Sequence, residues 1–165
     1  MNDEIDGKIL AILQEDARVS NAEIARRLGM APSAILERIR KLEARGTVLS
    51  YETRLNPHAV SAGLLAFIFV RTESLCGNME VGEALARIAE VQEVHNVAGE
   101  DCYLVKARVA DPQALGRLLR ERIGTIPQVR STRSTIVLDT LKETTRLPLT
   151  ESVTEAESES RNGKQ

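Results

Sequence analysis

The stretch that most constrains the fold is residues 20–46, because its pattern predicts two helices joined by a short turn. Ser20 and Glu23 form a capping-box pair, in which the hydroxyl accepts from one unpaired amide and the carboxylate reaches back to another. Gly29 can take the left-handed conformation that ends the first helix, and Pro32 suits the first turn of the next. The spacing therefore predicts a helix-turn-helix.

The second helix of this pair has one apolar side and one polar side. Ile35, Ile39 and Leu42 repeat at i, i+4 and i+7 and are expected to face the core. The opposite side has small residues first and cations further along, which suits close approach to base edges followed by contacts to phosphates. The predicted DNA contacts are Ser33, Ala34, Glu37, Arg38, Arg40, Lys41 and Arg45. The alternative is a helical hairpin whose charged face is merely solvated.

The distribution of charge supports the DNA-binding interpretation. Residues 1–25 contain two cations and six acids, a net charge of −4, whereas residues 26–54 contain seven cations and three acids, a net charge of +4. The whole chain has a formal net charge of −2, which argues against a protein that coats DNA by bulk charge. Affinity for double-stranded DNA must therefore come from a local patch, which oligomerisation would duplicate.

The flanking sequence completes a predicted first domain, residues 1–55, as a winged helix-turn-helix. Its first helix is indicated by apolar residues at helical spacing, namely Ile5, Ile9, Ile12 and Leu13. Residues 47–55 alternate and are β-prone, which predicts a two-stranded wing or a strand that leaves the domain. Asn56-Pro57 breaks this pattern, so residues 56–63 are expected to be a hinge.

Residues 64–146 change period repeatedly and predict a second domain. Strands are predicted at 63–72, 91–97, 102–109 and 131–141, and helices at 78–89 and 111–124. This βαββαβ order is that of the ferredoxin-like fold, so the chain is expected to be of the α+β class. The remaining residues, 147–165, are polar and rich in Ser and Glu, which predicts a disordered tail.

The first predicted strand of the second domain is apolar on both faces. Alternate residues from Leu64 to Val70 are apolar on one face, and Leu65, Phe67 and Phe69 are apolar on the other. Two helices cover only one face of such a sheet, so the other face needs a second cover. The simplest cover is the sheet of a second subunit, which predicts a homodimer; a bound apolar ligand is the alternative.

Little in the sequence indicates catalysis, a metal site or a membrane. His58 and His95 have no nucleophile or carboxylate at a spacing that local geometry guarantees, so no catalytic residue is assigned and the chain is predicted not to be an enzyme. Cys76 and Cys102 lack CxxC spacing, which indicates neither a disulfide framework nor a metal site, and no cofactor is expected. The longest apolar run, residues 63–70, is too short to span a bilayer, and the charged N-terminus indicates a cytoplasmic protein.

Motifs in both predicted domains resemble those of the Lrp/AsnC (leucine-responsive/asparagine-responsive, feast-or-famine) family of transcription regulators. The matching stretches are residues 5–29, 35–48, 55–57 and 99–111, and they occur in the family's order. The resemblance implies a DNA-binding domain joined to an effector-sensing domain, dimers formed sheet to sheet, and further assembly into octamers. It also implies a sequence-specific regulator that responds to an amino acid or a related metabolite, bound between dimers.

The resemblance implies where an effector binds. In the family the cleft is associated with a Gly-Asp-x-Asp-Tyr region between the second and third strands and with polar residues of the last strand. The corresponding positions here are Gly99, Glu100, Asp101, Tyr103, Thr132, Ser134 and Thr135. Cys102 stands where many relatives have the second acid, and a shift of one residue turns a carboxylate to the other face of a strand. Ala31 stands where many relatives have a capping serine, whose loss costs on the order of 1 kcal/mol.

Two other functions are compatible with these patterns. Sirohaem decarboxylases of haem biosynthesis resemble the same two-domain architecture, so architecture alone does not separate a regulator from an enzyme. The basic helix at 33–41 favours DNA over that alternative. The second alternative is an architectural DNA binder without an effector, which the departure at Cys102 supports.

Overall fold

The structure, a computed structural model, describes residues 3–73 and 79–149. The chain divides into two compact units, Met1–Thr53 with Thr144–Gln165, and Arg54–Glu143. The predicted disordered tail lies outside the described residues from position 150 onwards. None of the described helices is long and apolar enough to cross a membrane.

The first unit contains three helices, α1 (Glu4–Glu15), α2 (Asn21–Leu28) and α3 (Pro32–Ala44). The predicted helix-turn-helix is confirmed, because Gly29 ends α2 at a φ of 67° and lies in the left-handed region. One small core joins the three helices. Its buried residues are Ile9, Ile24, Ala25, Ile35, Ile39 and Leu42.

The capping box of α2 forms only in part. The Ser20 hydroxyl accepts from the Glu23 amide at 3.2 Å, as predicted. The Glu23 carboxylate does not reach back to Ser20, because it binds Arg26 and Arg27 on the same helix instead. Because Arg26 and Arg27 lie within one turn of Glu23, its carboxylate pairs with these charged groups instead of with the neutral amide of Ser20.

The predicted wing is wrong: residues 47–56 contain no strand. A strand needs a hydrogen-bonding partner, and the described part of this unit has no second strand beside it. Leu49 is 89% exposed, so alternation in this segment does not bury an apolar face. Tyr51 instead donates to Glu43 Oε1 at 2.9 Å, and burial together with this bond raises the pKa of Tyr51 to about 12.

The second unit is a four-stranded antiparallel sheet with its helices in the predicted order. A short 3-10 helix, Pro57–Val60, precedes it within the expected hinge. The elements are β1 (Leu64–Thr72), α4 (Met79–Ala86), β2 (Val91–Asn96), β3 (Tyr103–Val109), α5 (Pro112–Arg117) and β4 (Val129–Ile136). The sheet order β2-β3-β1-β4 is that of a ferredoxin-like domain, so the prediction is confirmed.

The last strand ends at Ile136 rather than at the predicted residue 141. Val137 N donates to Leu65 O, and β1 begins one residue before Leu65. Beyond that point β4 has no partner strand to continue the ladder. The residues after Ile136 are still β-prone, so the sequence pattern predicted a strand that is too long.

The core of the second unit lies between the sheet and its helices. Alternate residues of β1 and β3 point to this side, and every second position from Tyr103 to Val109 is buried. Helix α5 continues as a π-helical turn, Leu118–Ile123. Tyr103 packs so closely on α4 that a Cβ placed at Gly82 would lie 2.8 Å from its ring carbon Cε1. Glycine at position 82 therefore permits the close approach of helix and sheet.

Candidate DNA interface and effector region

The outward side of α3 carries most of the predicted DNA contacts. Ile35, Ile39 and Leu42 bury the opposite side, so the core orients the helix. Of the predicted contacts, Ala34 and Arg38 are half-buried, and the exposed ones are Ser33, Glu37, Arg40, Lys41 and Arg45. Ala31 offers no side-chain cap, and Pro32 occupies the first turn, so the N-terminal end of α3 is free of bulky side chains.

Arg38 is held by two carboxylates at the start of α1. Its Nη1 donates to Asp3 Oδ2 at 2.7 Å and to Asp6 Oδ1 at 2.8 Å. Asp6 is buried, whereas Asp3 also caps α1 by accepting from the Asp6 amide. The hydrogen bond from the Asp6 amide, and then the one from Arg38, hold the pKa of Asp3 below its ordinary value. The hydrogen bonds to Asp3 and then to Asp6 raise the pKa of Arg38. We call this arrangement of Asp3, Asp6 and Arg38 the α1–α3 clasp; it fixes α3 rather than leaving Arg38 for phosphate.

The other cations of α3 differ in how they are engaged. Lys41 Nζ lies 2.7 Å from Glu37 Oε1, and this bond lowers the pKa of Glu37. Both side chains are mostly exposed, so a phosphate can replace the carboxylate. Among the described residues, neither Arg40 nor Arg45 forms an ion pair. These three cations can therefore meet DNA without breaking a buried interaction.

A further cation pair precedes the turn. Glu23 binds Arg26 and Arg27 at 2.8 Å each, and these bonds, Arg26 first, lower the pKa of Glu23 to about 2. Both arginines belong to the basic stretch, although neither is among the predicted DNA contacts. Their shared carboxylate makes the local patch less positive than the sequence count suggests.

The predicted effector residues before β3 adopt a loop in which Asp101 is ion-paired. Gly99 has a φ of 134°, which side-chain-bearing residues rarely adopt. Glu100 is exposed, and Asp101 Oδ2 accepts from Arg133 Nη2 at 3.1 Å. The Arg133 guanidinium also lies 4.0 Å from the centroid of the Phe69 ring. Arg133 was not among the predicted effector residues, and its only signal in the sequence is a cation between the polar residues of the last strand.

The remaining predicted effector residues do not share one surface. Thr132 pairs with Val70 and Ser134 with Ile68, which places them on the helix side of the sheet, whereas Thr135 pairs with Phe67 on the other side. Tyr103 is buried beneath α4 rather than lining an open cleft. The structure therefore brings Asp101 and Arg133 together but separates the predicted polar residues of β4 by their alternation.

Cys102 occupies a buried position beside this loop. Thr72 Oγ1 donates to its sulfur at 3.1 Å. Cys102 is disulfide-bonded, whereas the spacing of the two cysteines indicated no disulfide framework. Within the described residues, no group of three or more potential ligands is arranged to hold a metal ion.

The open face of the sheet carries a second cluster of charges. Lys106 Nζ binds Glu143 at 2.7 Å and Glu93 at 2.9 Å, and Arg108 Nη2 binds Glu143 at 3.1 Å. Arg54 adds a fourth contact, at 3.3 Å, from the segment before the hinge. Burial lowers the pKa of Lys106, but the bonds to Glu143 and Glu93 outweigh it and raise the value overall. We call these five residues the Glu143 cluster.

A helix-turn-helix with an exposed basic helix, joined to a ferredoxin-like sheet domain, is the architecture of one class of DNA-binding transcription regulators with a separate ligand-binding domain. Two family models match this chain: the AsnC-type helix-turn-helix domain over residues 3–43 and the Lrp/AsnC ligand binding domain over residues 65–147. The chain belongs to the Lrp/AsnC family of transcription regulators, as its motifs predicted.

Individual relatives agree with this assignment over most of the chain. The leucine-responsive regulatory protein of Escherichia coli (strain K12) is 38% identical over 147 residues, which cover 88% of this chain and 90% of that protein. A transcriptional regulator from Neisseria meningitidis, solved with L-methionine, is 32% identical with a TM-score of 0.85, covering 93% of this chain and 100% of its own. The feast or famine regulatory protein from M. tuberculosis, also complexed with L-methionine, is 39% identical with a TM-score of 0.82, covering 89% and 98%.

Proposed function

We propose that this regulator binds specific DNA sequences through α3 and responds to an amino acid. The observation that carries the proposal is the outward face of α3, whose exposed cations are presented by a helix that the α1–α3 clasp holds in place. In this proposal residues 1–55 are the DNA-binding domain, 56–63 the hinge and 64–146 the effector-binding and dimerisation domain. A DNA-binding protein of this kind acts where the DNA is, which favours the cytoplasm.

The contacts to DNA divide between bases and phosphates. Ser33, Ala34 and Glu37 lie in the N-terminal half of α3 and are assigned to base edges in the major groove. Arg40, Lys41 and Arg45 are assigned to phosphates, which supply affinity that depends on salt. Arg38 contributes by orienting the helix. This division differs from the sequence prediction, which placed Arg38 on a phosphate.

The effector proposal rests on the chemistry of Asp101 and Arg133. A carboxylate and a guanidinium 3.1 Å apart can separate to hold the ammonium and the carboxylate of an amino acid. The two solved relatives with L-methionine support this ligand class. An effector changes DNA binding only through a difference in its affinity for two states of the protein, so Asp101 and Arg133 should be arranged differently in those states.

Dimerisation is assigned to the open face of the sheet. Leu65 is buried there, whereas Phe67 and Phe69 remain half-buried in a single chain. A second subunit's sheet would cover these rings, and two recognition helices would then reach successive major grooves. Higher assembly, such as an octamer, follows the family expectation and is tested by sedimentation of the full chain.

The DNA proposal is tested by binding of the intact protein to duplexes at several salt concentrations. Lys41→Ala and Arg45→Ala should weaken binding to all sequences alike, and each should reduce the slope of log affinity against log salt by about 1. Arg87→Ala, an exposed cation directly after α4, is the matched control and should change neither quantity. An unchanged slope in Lys41→Ala would remove Lys41 from the phosphate contacts.

The effector proposal is tested by thermal unfolding with each of the twenty amino acids. An amino acid at about 100 times its Kd stabilises the native state by roughly 2.7 kcal/mol. One clear shift that Asp101→Asn abolishes would support the site. No shift with any of them would favour an architectural DNA binder, and failure to bind duplexes together with a tetrapyrrole absorption band would favour the sirohaem-decarboxylase alternative.

A further inference from the structure

Glu37 is an acid at the centre of the outward face of α3. The opposite side of the helix is buried in the core by Ile35, Ile39 and Leu42. An α-helix turns by about 100° per residue, which places Glu37 roughly 140–160° around the axis from all three of them. Its side chain is 68% exposed. Glu37 therefore points away from the core, to the side where the proposed function puts the DNA.

The surroundings of Glu37 are basic, and they make an acid there unusual. Arg40 and Lys41 lie on either side of it, at about 60° and 40° around the helix axis. The other acids of the helix-turn-helix have partners away from this line, since Glu23 is bound by two arginines and Glu43 accepts from Tyr51. A face that only attracted phosphates would gain by having no acid at its centre.

DNA binding would take from Glu37 the partner that it has in the free protein. Lys41 Nζ lies 2.7 Å from Glu37 Oε1, and this bond holds the pKa of Glu37 below its ordinary value, so the carboxylate is ionised and only accepts hydrogen bonds. In the proposed function, on which this inference rests, Lys41 turns to a phosphate. A carboxylate enclosed at an interface without a donor is unfavourable, so the replacement donor has to come from a base.

The chemistry of the major groove selects one base as this donor. Guanine and thymine present acceptors there, which repel a carboxylate. Adenine presents its N6 amino group beside the N7 acceptor, so the second carboxylate oxygen would face a lone pair. Cytosine presents its N4 amino group alone. An acceptor without a donor of its own is therefore best matched by cytosine.

We propose that Glu37 is a specificity-determining residue, whose carboxylate accepts from the N4 amino group of a cytosine in the major groove. Ser33 lies one turn earlier on the same face and has a short side chain, so it does not hold α3 away from the bases. Lys41 acts with Glu37 by leaving it for a phosphate. The preference for cytosine is thus exerted only when α3 is seated in the groove.

The first test is selection of duplexes from a library of random sequence by the full chain at one salt concentration. The sequences enriched by the wild type should contain a cytosine at one fixed position of each half-site. Glu37→Gln keeps the size of the side chain, and its amide can pair with N6 and N7 of adenine. The variant should therefore lose the preference for cytosine at that position and gain one for adenine, with the other positions unchanged.

Glu43→Gln is the matched control, because it removes the same charge from the same helix at an exposed position beside the outward face. It should leave the enriched sequence unchanged at every position. Retention of the cytosine by Glu37→Gln would overturn the inference while leaving the proposed function intact. Failure of the wild type to enrich any sequence would instead contradict the proposed function itself.

The second test measures the N4 contact directly in the enriched duplex. N4-methylcytosine at the selected position keeps the Watson–Crick pair but replaces the N4 hydrogen that faces the major groove with a methyl group. The Kd of the wild type should rise about fivefold or more, whereas Glu37→Ala should bind the two duplexes alike. An equal rise in both proteins would show that the methyl group obstructs α3 without any contact from Glu37, and it would overturn the inference.

Discussion

The outward face of α3 and the open face of the sheet both carry clustered charges, but the two regions use them differently. On α3 Arg40 and Lys41 are exposed, and within the described residues the ion pair of Lys41 joins it to Glu37, one turn away. In the Glu143 cluster, Lys106 and Arg108 are largely buried and reach partners far away in the chain. Exposed pairs are weak and exchange partners readily, whereas half-buried clusters fix a structure. The difference separates charges that can exchange their partners for another molecule from charges that hold their own chain together.

The largest loss of stability is expected from a substitution in the core, which lies on the face of the sheet opposite to the Glu143 cluster. Leu85 is fully buried, so Leu85→Ala is expected to lower the free energy of unfolding by about 2–5 kcal/mol. Leu138→Ala, at a position 92% exposed, should change it by less than about 0.5 kcal/mol. Urea unfolding of both variants checks this; equal losses would show that burial does not decide stability here.

The Glu143 cluster should give the next largest effect. Glu143→Gln removes the charge shared by Lys106 and Arg108 and is expected to cost about 1 kcal/mol, a value kept low because the group is partly exposed. Glu83→Gln serves as the exposed control. If Glu143→Gln unfolds at the same urea concentration as the wild type, the cluster is no more structural than the pairs of α3.

The same cluster makes a prediction about pH. The bond to Lys106 holds the pKa of Glu143 below its ordinary 4.5 and that of Glu93 likewise. The stability these carboxylates contribute is therefore present above pH 4.5 and is lost as the pH falls through their lower folded values. Thermal unfolding from pH 6 to 3 should show a fall that is smaller in Glu143→Gln. An identical fall in the two proteins would contradict this assignment.

The α1–α3 clasp separates Arg38, which orients α3, from the cations of the DNA-binding face that are assigned to phosphates. Arg38→Ala should lower DNA affinity severalfold while leaving the salt slope unchanged, because Arg38 orients the helix and does not meet a phosphate. Asp6→Asn, which keeps the size of the side chain but weakens the clasp, should act in the same direction. A slope reduced by about 1 in Arg38→Ala would return Arg38 to the phosphate contacts.

The smallest effect is expected at the exposed pair on α3. Glu37→Gln removes the carboxylate bound to Lys41, so the melting temperature should shift by less than about 2 °C. DNA affinity should rise slightly for non-specific sequences, since Lys41 is released and an acid beside the DNA is lost. A large fall in melting temperature would show that this pair, too, is structural.

Local signals in the sequence predicted most of the fold. Ser20, Gly29 and Pro32 act on residues within one turn, so they locate α2 and α3 without knowledge of the rest of the chain. Strand alternation and helical spacing gave the βαββαβ order, because each period reflects which side of an element is buried. The wing failed for the same reason: alternation indicates a strand only where a partner exists.

The candidate sites were less predictable because their key contacts join distant residues. Arg38 meets Asp3 across 35 positions and Arg133 meets Asp101 across 32. No local pattern distinguishes these cations from others on the same elements. The family resemblance supplied the effector loop, yet it did not show that Tyr103 is buried or that Thr135 and Ser134 face opposite sides.

The first unit also includes residues from the far end of the chain, and this has a consequence for biosynthesis. Gln14 exchanges two hydrogen bonds with the backbone of Leu147, a separation of 133 positions. Helices α1 to α3 emerge early from a ribosome and can fold at once, because their core is local. Their contact with Leu147 must wait until nearly the whole chain has been translated. A nascent chain halted before Leu147 would therefore present a folded DNA-binding face whose unit is still incomplete.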